Sequence, residues 1–307
     1  IQYGKDILAQ QHFENDDPQT KADFYYVLAN AYFENEDYQG AITNYNEAVT
    51  LYQGNAEIYR DFAIALARSG NTDKAKEMLQ KAEGLGLNDS GLALAEAEIA
   101  FAQGDNATAA ASFEKALKSS ADSNLKQRAV LYLARAYREQ GKYEKALSTI
   151  ETNMPILDTV RTRNARLLSA ETYLKMADMT ADSDQKKNYA QKAIDLYQAA
   201  GTLQTKTTLF NLATAYQYLD DMENAQNILN QMITDYSEDP DVFARLAILE
   251  IYKQDKRNIS GQDYTKFKQY YDRAEKLDRN NKTNGTSSPY ILLMEDYMKE
   301  LQDKNRI

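Results

Sequence analysis

The sequence predicts an all-α fold in which helix pairs stack into one continuous solenoid. Three observations lead there. Alanines stand at an equal 34-residue spacing, at Ala41, Ala75 and Ala109, each followed four residues later by Tyr45, Leu79 or Phe113 and seven later by Ala48, Ala82 or Ala116. Large and small residues alternate at fixed offsets upstream of these marks, so that Tyr25, Leu28, Ala29 and Tyr32 recur as Tyr59, Phe62, Ala63 and Leu66. Only 4 Pro and 12 Gly occur in 307 residues, and Gly70, Gly104 and Gly141 fall at the same point of their repeats, where a helix must end on a positive-φ residue.

The elements follow in chain order. Residues 3–13 read as a short helix and 14–20 as a polar loop, so 1–20 form an N-terminal segment outside the repeats. Repeats one and two are the copies just described. The third is carried by Ala93, Ala97, Ala100, Gly104, Ala109, Phe113 and Ala116, and the fourth by Leu133, Ala134, Tyr137, Gly141, Ala146 and Ile150. The fourth arrives three residues late, the added length lying in the polar run 119–124. Ala170, Tyr173, Ala193, Tyr197 and Ala200 mark the fifth, Leu212, Ala213, Tyr216, Ala225 and Leu229 the sixth, and Phe243, Leu246, Ala247, Tyr271 and Ala274 the seventh. Seven repeats therefore span residues 21–278 with no domain boundary, each burying its faces on its neighbours.

Two insertions fall at internal turns, 176–185 in repeat five and 255–263 in repeat seven, and are expected to emerge on one edge, as a second contact surface or as neutral additions. The polar stretch 278–288 reads as a linker. Ser288-Pro289 then opens a helix, since serine caps and proline suits the first position. Its stripe Tyr290, Leu293, Met294, Tyr297 and Leu301 makes 279–307 a linker plus a helix capping the last repeat.

The alternation of aromatic, Leu, small and Tyr, then Ala, aromatic and Ala, resembles the tetratricopeptide repeat (TPR) family. The resemblance implies a right-handed superhelical solenoid of antiparallel helix pairs, with the first helix of each repeat lining a concave groove through repeat positions 2, 5, 9, 12 and 13. Position 5 carries over as Tyr26, Arg60, Leu94, Leu131, Leu167, Phe210 and Ala244, and position 12 as Phe33, Ala67, Phe101, Arg138, Leu174, Gln217 and Ile251. Such a groove is unusually apolar at its middle, and contiguous exposed apolar surface marks binding sites. A terminal helix or a second protomer filling it is the competing reading. Position 9 reads Asn30, Ile64, Glu98, Arg135, Glu171, Thr214 and Ile248, which sets Arg135 between two glutamates on neighbouring helices, 8–10 Å away axis to axis. Arg135 is expected to be neutralised there, leaving Arg128 and Arg138 as the ligand-facing arginines. The family's two-carboxylate clamp is absent from the first three repeats: Asn30 matches, but Tyr26 stands for the lysine, Asp61 for the second asparagine, and Gly91 and Ala95 for the last pair.

Composition narrows the chemistry. The formal net charge is -10, which opposes general nucleic-acid binding. The sign is uneven, nine acidic against two basic residues in the first fifty, and nine basic against four acidic over 126–166. Cysteine is absent, excluding disulfides and thiolate metal sites and fitting an extracytoplasmic bacterial setting. No apolar run spans a bilayer, and a chain starting at Ile1 reads as a processed piece. His12 is the only histidine and stands in the terminal segment outside the repeats, so neither a two-histidine metal site nor a Ser-His-Asp arrangement is expected. Asp178, Asp182 and Asp184 lack the glycine and terminal glutamate of a calcium loop. Most of the 23 tyrosines fall on packing positions, which puts core before sugar stacking.

The expected function is a non-catalytic, cofactor-free interaction scaffold. Its partner is a protein or peptide, acidic and hydrophobic, held at Tyr26, Asn30, Phe33, Arg60, Leu94, Phe101, Arg128, Leu131, Arg135, Arg138, Leu167, Glu171, Leu174 and Phe210. The alternatives are a ligand-sensing extracytoplasmic domain of a larger bacterial signalling or surface protein, and a structural spacer.

Overall fold

The computed structural model describes residues 16–87, 89–201, 205–254, 264–283, 285 and 287–303. Among these the chain forms fifteen consecutive α-helices and one 3-10 turn, and no strand. The helices are α1 (Pro18–Glu34), α2 (Tyr38–Leu51), α3 (Ala56–Arg68), α4 (Thr72–Gly84), α5 (Asp89–Ala102), α6 (Asn106–Ser119), α7 (Ser123–Glu139) and α8 (Tyr143–Asn153). After the 3-10 turn Met154–Ile156 come α9 (Thr159–Met179), α10 (Ser183–Ala200), α11 (Lys206–Tyr218), α12 (Met222–Asp235), α13 (Pro240–Gln254), α14 (Thr265–Thr283) and α15 (Pro289–Asp303). The first fourteen are the seven helix pairs of the repeats and α15 follows them. The helix expected at 3–13 and the insertion at 255–263 lie outside the described residues. Contacts gather into two compact units, residues 1–165 and 166–307.

One turn is used over and over. In five repeats the first helix ends on a residue with positive φ: Glu36 (61°), Gly70 (86°), Gly104 (79°), Gly141 (72°) and Asp220 (64°). The following N–H then reaches back to the carbonyl five residues earlier, as in Asn71 to Leu66 at 2.8 Å and Asp105 to Ala100 at 2.9 Å, closing the helix end. That residue is in three repeats also the N-cap of the second helix, Asp37, Asp105 and Asp221 accepting from the N–H groups of Gly40, Thr108 and Asn224. Two helix ends are thereby satisfied within three residues, which is why so short a connection holds two antiparallel helices together.

The repeat alanines sit where helices cross. Ala29, Ala41, Ala48, Ala63 and Ala75 have no exposed surface in the first unit, around a Tyr45 ring that stacks on Phe62 with centroids 5.9 Å apart. In the second unit Ala170, Ala193, Ala225, Ala247 and Ala274 occupy the same role. Small residues let the axes approach, and Ala75→Leu should cost about 1–3 kcal/mol through overpacking. A like change at exposed Lys76 should cost under about 0.5 kcal/mol, as measured by urea unfolding; equal small effects at both positions would refute the register.

The structure corrects two features of the sequence reading. The stretch 176–185 is not a protruding loop: α9 runs to Met179 and α10 starts at Ser183. Asp182 caps α10 by accepting from the N–H groups of Asp184 and Gln185, and Asp178 accepts from the Tyr218 hydroxyl at 3.0 Å. The added residues lengthen the helices because good helix formers surround a single capping aspartate. Among the described residues no cluster of three acidic or histidine side chains is placed to hold a metal.

Likewise 278–288 is only partly a linker, since α14 continues to Thr283. Its Asp278 is buried and accepts from Asn281 (3.1 Å), from the Ser288 N–H (3.4 Å) and from the Ser287 hydroxyl, pinning the approach to α15. Ser288 caps α15 as expected, accepting from the Tyr290 N–H. The buried face of α15 is Ile291, Met294 and Met298, with Tyr290 and Tyr297 beside it, and Leu293 faces outward at 61% exposure. The expected stripe lay one residue around the helix from the real one.

Candidate partner-binding cleft

In the first unit, α1, α3, α5 and α7 bring polar residues together in a largely buried core of charge. Asp61 on α3 receives a bidentate grip from Arg60, Nε to Oδ1 and Nη2 to Oδ2, both at 2.9 Å, and accepts from the Tyr26 hydroxyl at 2.7 Å. Arg128 on α7 lies 3.6 Å from Asp61 and 2.9 Å from Glu98. Glu98 on α5, wholly inaccessible, also takes Arg68 at 3.0 Å. Burial by itself would push the Asp61 carboxyl up, but the Arg60 and Arg128 guanidiniums and the Tyr26 hydroxyl hold it below the usual carboxylate range. A group so depressed contributes stability above its unfolded value, lost only as pH falls through the lower folded one. Three guanidiniums meet two buried carboxylates, and the exposed Glu57 carboxylate, 3.9 Å from Arg60, supplies the third negative charge.

Aromatic faces cover two of these guanidiniums. The Arg68 guanidinium lies 4.4 Å from the Tyr132 ring centroid and 5.2 Å from that of Phe101, while Arg128 lies 5.3 Å from Phe33. Above this layer opens a cleft of about 400 Å³, lined by Phe33, Glu34, Glu36 and Tyr38 at the α1–α2 turn, Arg128, Leu131, Tyr132 and Arg135 of α7, and Asp158, Val160, Arg161 and Asn164 at the start of α9. Its exposed apolar side chain is Val160, at 67%. Arg161 is committed to Asp158, accepted through both side chain and backbone.

The structure exchanges the roles expected of Arg128 and Arg135. Arg128, expected with Arg138 to face a ligand, is the hub of the buried network. Arg135 was expected between Glu98 and Glu171, yet Glu98 is saturated by Arg68 and Arg128, and Arg135 makes no ion pair with a described residue. It lies instead over Tyr132, 5.4 Å from the ring centroid. Arg138 pairs with its neighbour Glu139 at 3.2 Å.

The fourteen residues foreseen for the groove divide between the two units, and several present little surface. Leu94 is fully buried, and Phe33, Arg60, Leu174 and Phe210 are buried too. The expected exposed apolar stripe is corrected accordingly: guanidiniums cover the rings, Arg128 over Phe33 and Arg245 over Phe210 at 4.3 Å. Asn30 accepts a hydrogen bond from the Tyr45 hydroxyl. Tyr26, Phe101, Leu131, Arg135, Arg138, Leu167 and Glu171 keep partial exposure. Sequence reasoning missed Arg68, Tyr132 and Val160. Arg68 ends its helix beyond the groove positions, although a lone cation one turn past Ile64 was a visible signal.

Family comparison agrees with this register. A tetratricopeptide repeat model matches residues 32–99 and 100–153, and a second tetratricopeptide repeat model matches 207–239, together just over half of the chain. The chain belongs to the tetratricopeptide repeat family. TPR proteins serve as protein-interaction scaffolds, and such families are generally non-catalytic. No curated protein matches the sequence.

Among solved structures, the chain is similar to a human IFIT1 dimer with PPP-AAAA, with TM-score 0.62 and 15% identity over 99% of this chain and 69% of that one. It is similar to a Pyrococcus horikoshii signal transduction ATPase with numerous domains and a tetratricopeptide repeat sensor, with TM-score 0.61 and 16% identity over 88% of this chain and 44% of that one. A third is Pseudomonas aeruginosa pilF, with TM-score 0.52 and 15% identity over 72% of this chain and 94% of that one. At these identities the likeness is one of TPR fold alone. Among the described residues no helix is long and apolar enough to cross a membrane.

Proposed function

We propose that the chain is a non-catalytic scaffold that holds a segment of a partner protein in the cleft between the α1–α2 turn, α7 and the start of α9. The observation that carries this reading is Arg135, a guanidinium without an ion pair among the described residues, half-exposed beside Leu131 and in a cleft that also contains exposed Val160. A volume of about 400 Å³ admits one or two bulky side chains, so the partner inserts an anchor and lays the remainder across the surface. An acidic residue next to an apolar one suits the pair Arg135 and Val160. The surrounding network supports the cleft by fixing Arg128 and Tyr132 rigidly beneath it, which lowers the ordering cost of binding.

The test is affinity capture of partners by the full chain, followed by titration of the recovered segment. Arg135→Glu should weaken binding by about tenfold or more, equivalent to about 1.4 kcal/mol, and Val160→Asp should do likewise, while Arg138→Glu should have a smaller effect. Added salt should weaken the wild-type complex, since exposed charges are screened over about 10 Å at 0.1 M. A partner whose affinity ignores both cleft substitutions would overturn the assignment.

A further inference from the structure

A second cleft, of about 740 Å³, lies within the second unit, walled by the α12–α13 turn, the starts of α11, α13 and α15 and the last turn of α14. Asp235, Glu238, Asp239 and Asp241 line it against the single cation Lys206. Lys206 is seated between Asp239 and Asp241, 3.4 Å from the latter, so the chain's own ammonium shows how a cation is held there. Arg273, outside the lining, meets Glu238 at 3.0 Å, yet that carboxylate's side chain is 76% exposed. Asp235 is exposed and makes no ion pair among the described residues. Lys206 and Arg273 thus answer two of the four carboxylates. Asp278 adds another, buried behind Asn281, Ser287 and Ser288 of the lining and met among the described residues by those neutral donors alone. Lys282, near enough to sense Asp278, is bound to Glu295. Backbone ends do not reverse the sign. C-terminal turns of α12 and α14 and N-terminal turns of α11, α13 and α15 meet at the cleft, so their dipoles largely cancel. At those N-termini Thr205, Asp239 and Ser288 each accept an N–H, and Pro240 and Pro289 have none to offer.

We propose that this cleft docks a basic segment of a partner protein, seating its cationic side chains against Asp235 and Glu238. Charge complementarity selects the occupant: the unanswered carboxylates attract a cation and repel an anion. Among the described residues no three acidic side chains are placed to hold a metal ion, which leaves an organic cation. The volume is in the range of sites that enclose a whole small ligand, more than one ammonium or guanidinium fills, so a stretch of chain fits better than an isolated ion. Tyr236, Pro240 and Pro289 offer apolar surface to the aliphatic stems of lysine or arginine while the charged heads reach the carboxylates. The cleft shares no residue with the Arg135 site, so the two assignments fail separately.

The experiment is carbodiimide and glycine ethyl ester labelling of carboxylates in the native full chain, read residue by residue by mass spectrometry. The probe is the peptide N-acetyl-Arg-Ala-Arg-amide, with N-acetyl-Gln-Ala-Gln-amide as neutral control and methylguanidinium, at matched charge, as the isolated cation. The arginine peptide should slow labelling of Asp235 and Glu238 several-fold and leave Asp73 and Glu77, exposed on α4 of the first unit, nearly unchanged. Equal slowing at all four positions would mean general attraction to an acidic chain and would overturn the site. So would no protection, or protection as strong from the neutral peptide or from methylguanidinium. Asp235→Asn with Glu238→Gln should weaken binding of the fluorescently labelled arginine peptide several-fold, with the melting temperature little changed because both positions are exposed. Asp73→Asn with Glu77→Gln removes the same charge elsewhere and should leave that affinity intact; an equal loss in the two double variants counts against the cleft.

Discussion

Replacing Glu98 by alanine should destabilise the protein by about 3–5 kcal/mol, the range seen when one partner of a buried ion pair is removed. Glu98 has no accessible surface and is the shared counter-charge of Arg68 and Arg128. Without it Arg68 retains aromatic faces, and Arg128 the Phe33 face and the longer contact to Asp61. Urea unfolding monitored by circular dichroism measures the loss. A change below about 1 kcal/mol, the range of exposed pairs, would mean that water reaches the network. The same variant should also weaken partner binding at the cleft, because Arg128 and Tyr132 form its floor.

The second large effect is at the other end of the chain. Deleting residues 290–307 should uncover Phe243, Phe267, Tyr271 and Ala274, against which Ile291, Met294 and Met298 pack. Burying an aliphatic side chain of this size contributes about 1.5–3 kcal/mol, so losing three removes several kcal/mol from the second unit and leaves an apolar face that self-associates. Thermal melting and light scattering report both effects. Leu293→Ser, on the outward face, should change neither by much. A truncated chain as stable and monodisperse as the parent would show that α15 is a tail.

What could be read from the sequence follows the distance over which the physics acts. The repeat register, the crossing alanines and the turn glycines are local, because each position obeys the geometry of one helix pair, and Ala41, Ala75 and Gly104 occupy the places their spacing implied. Tyrosines at packing positions, such as Tyr45 and Tyr197, are buried for the same reason. The charge pairing was not legible. Glu98 faces arginines that are 30 residues away in either direction, Arg68 and Arg128, and which of the flanking cations wins depends on side-chain reach across helix faces. Assigning Glu98 to Arg135 by repeat position put the correct carboxylate with the wrong cation. The face of α15 was misjudged because tyrosine and leucine on an amphipathic helix suit either edge of the buried stripe, and only contact with Phe267 decides.

The recurrent turn has a bearing on how this surface can be rewritten. At Gly70, Gly104 and Gly141 a Cβ would meet no atom within 4 Å, so the obstacle to a side chain there is backbone conformation alone, roughly 1–2 kcal/mol. Two repeats have already accepted that penalty: Glu36 borders the cleft, and Asp220 reaches Lys187 of the preceding repeat at 3.1 Å. Among the described turns these five positions form a periodic set open to solvent, two holding carboxylates and three holding glycine, through which charge can be added repeat by repeat without disturbing a helix crossing.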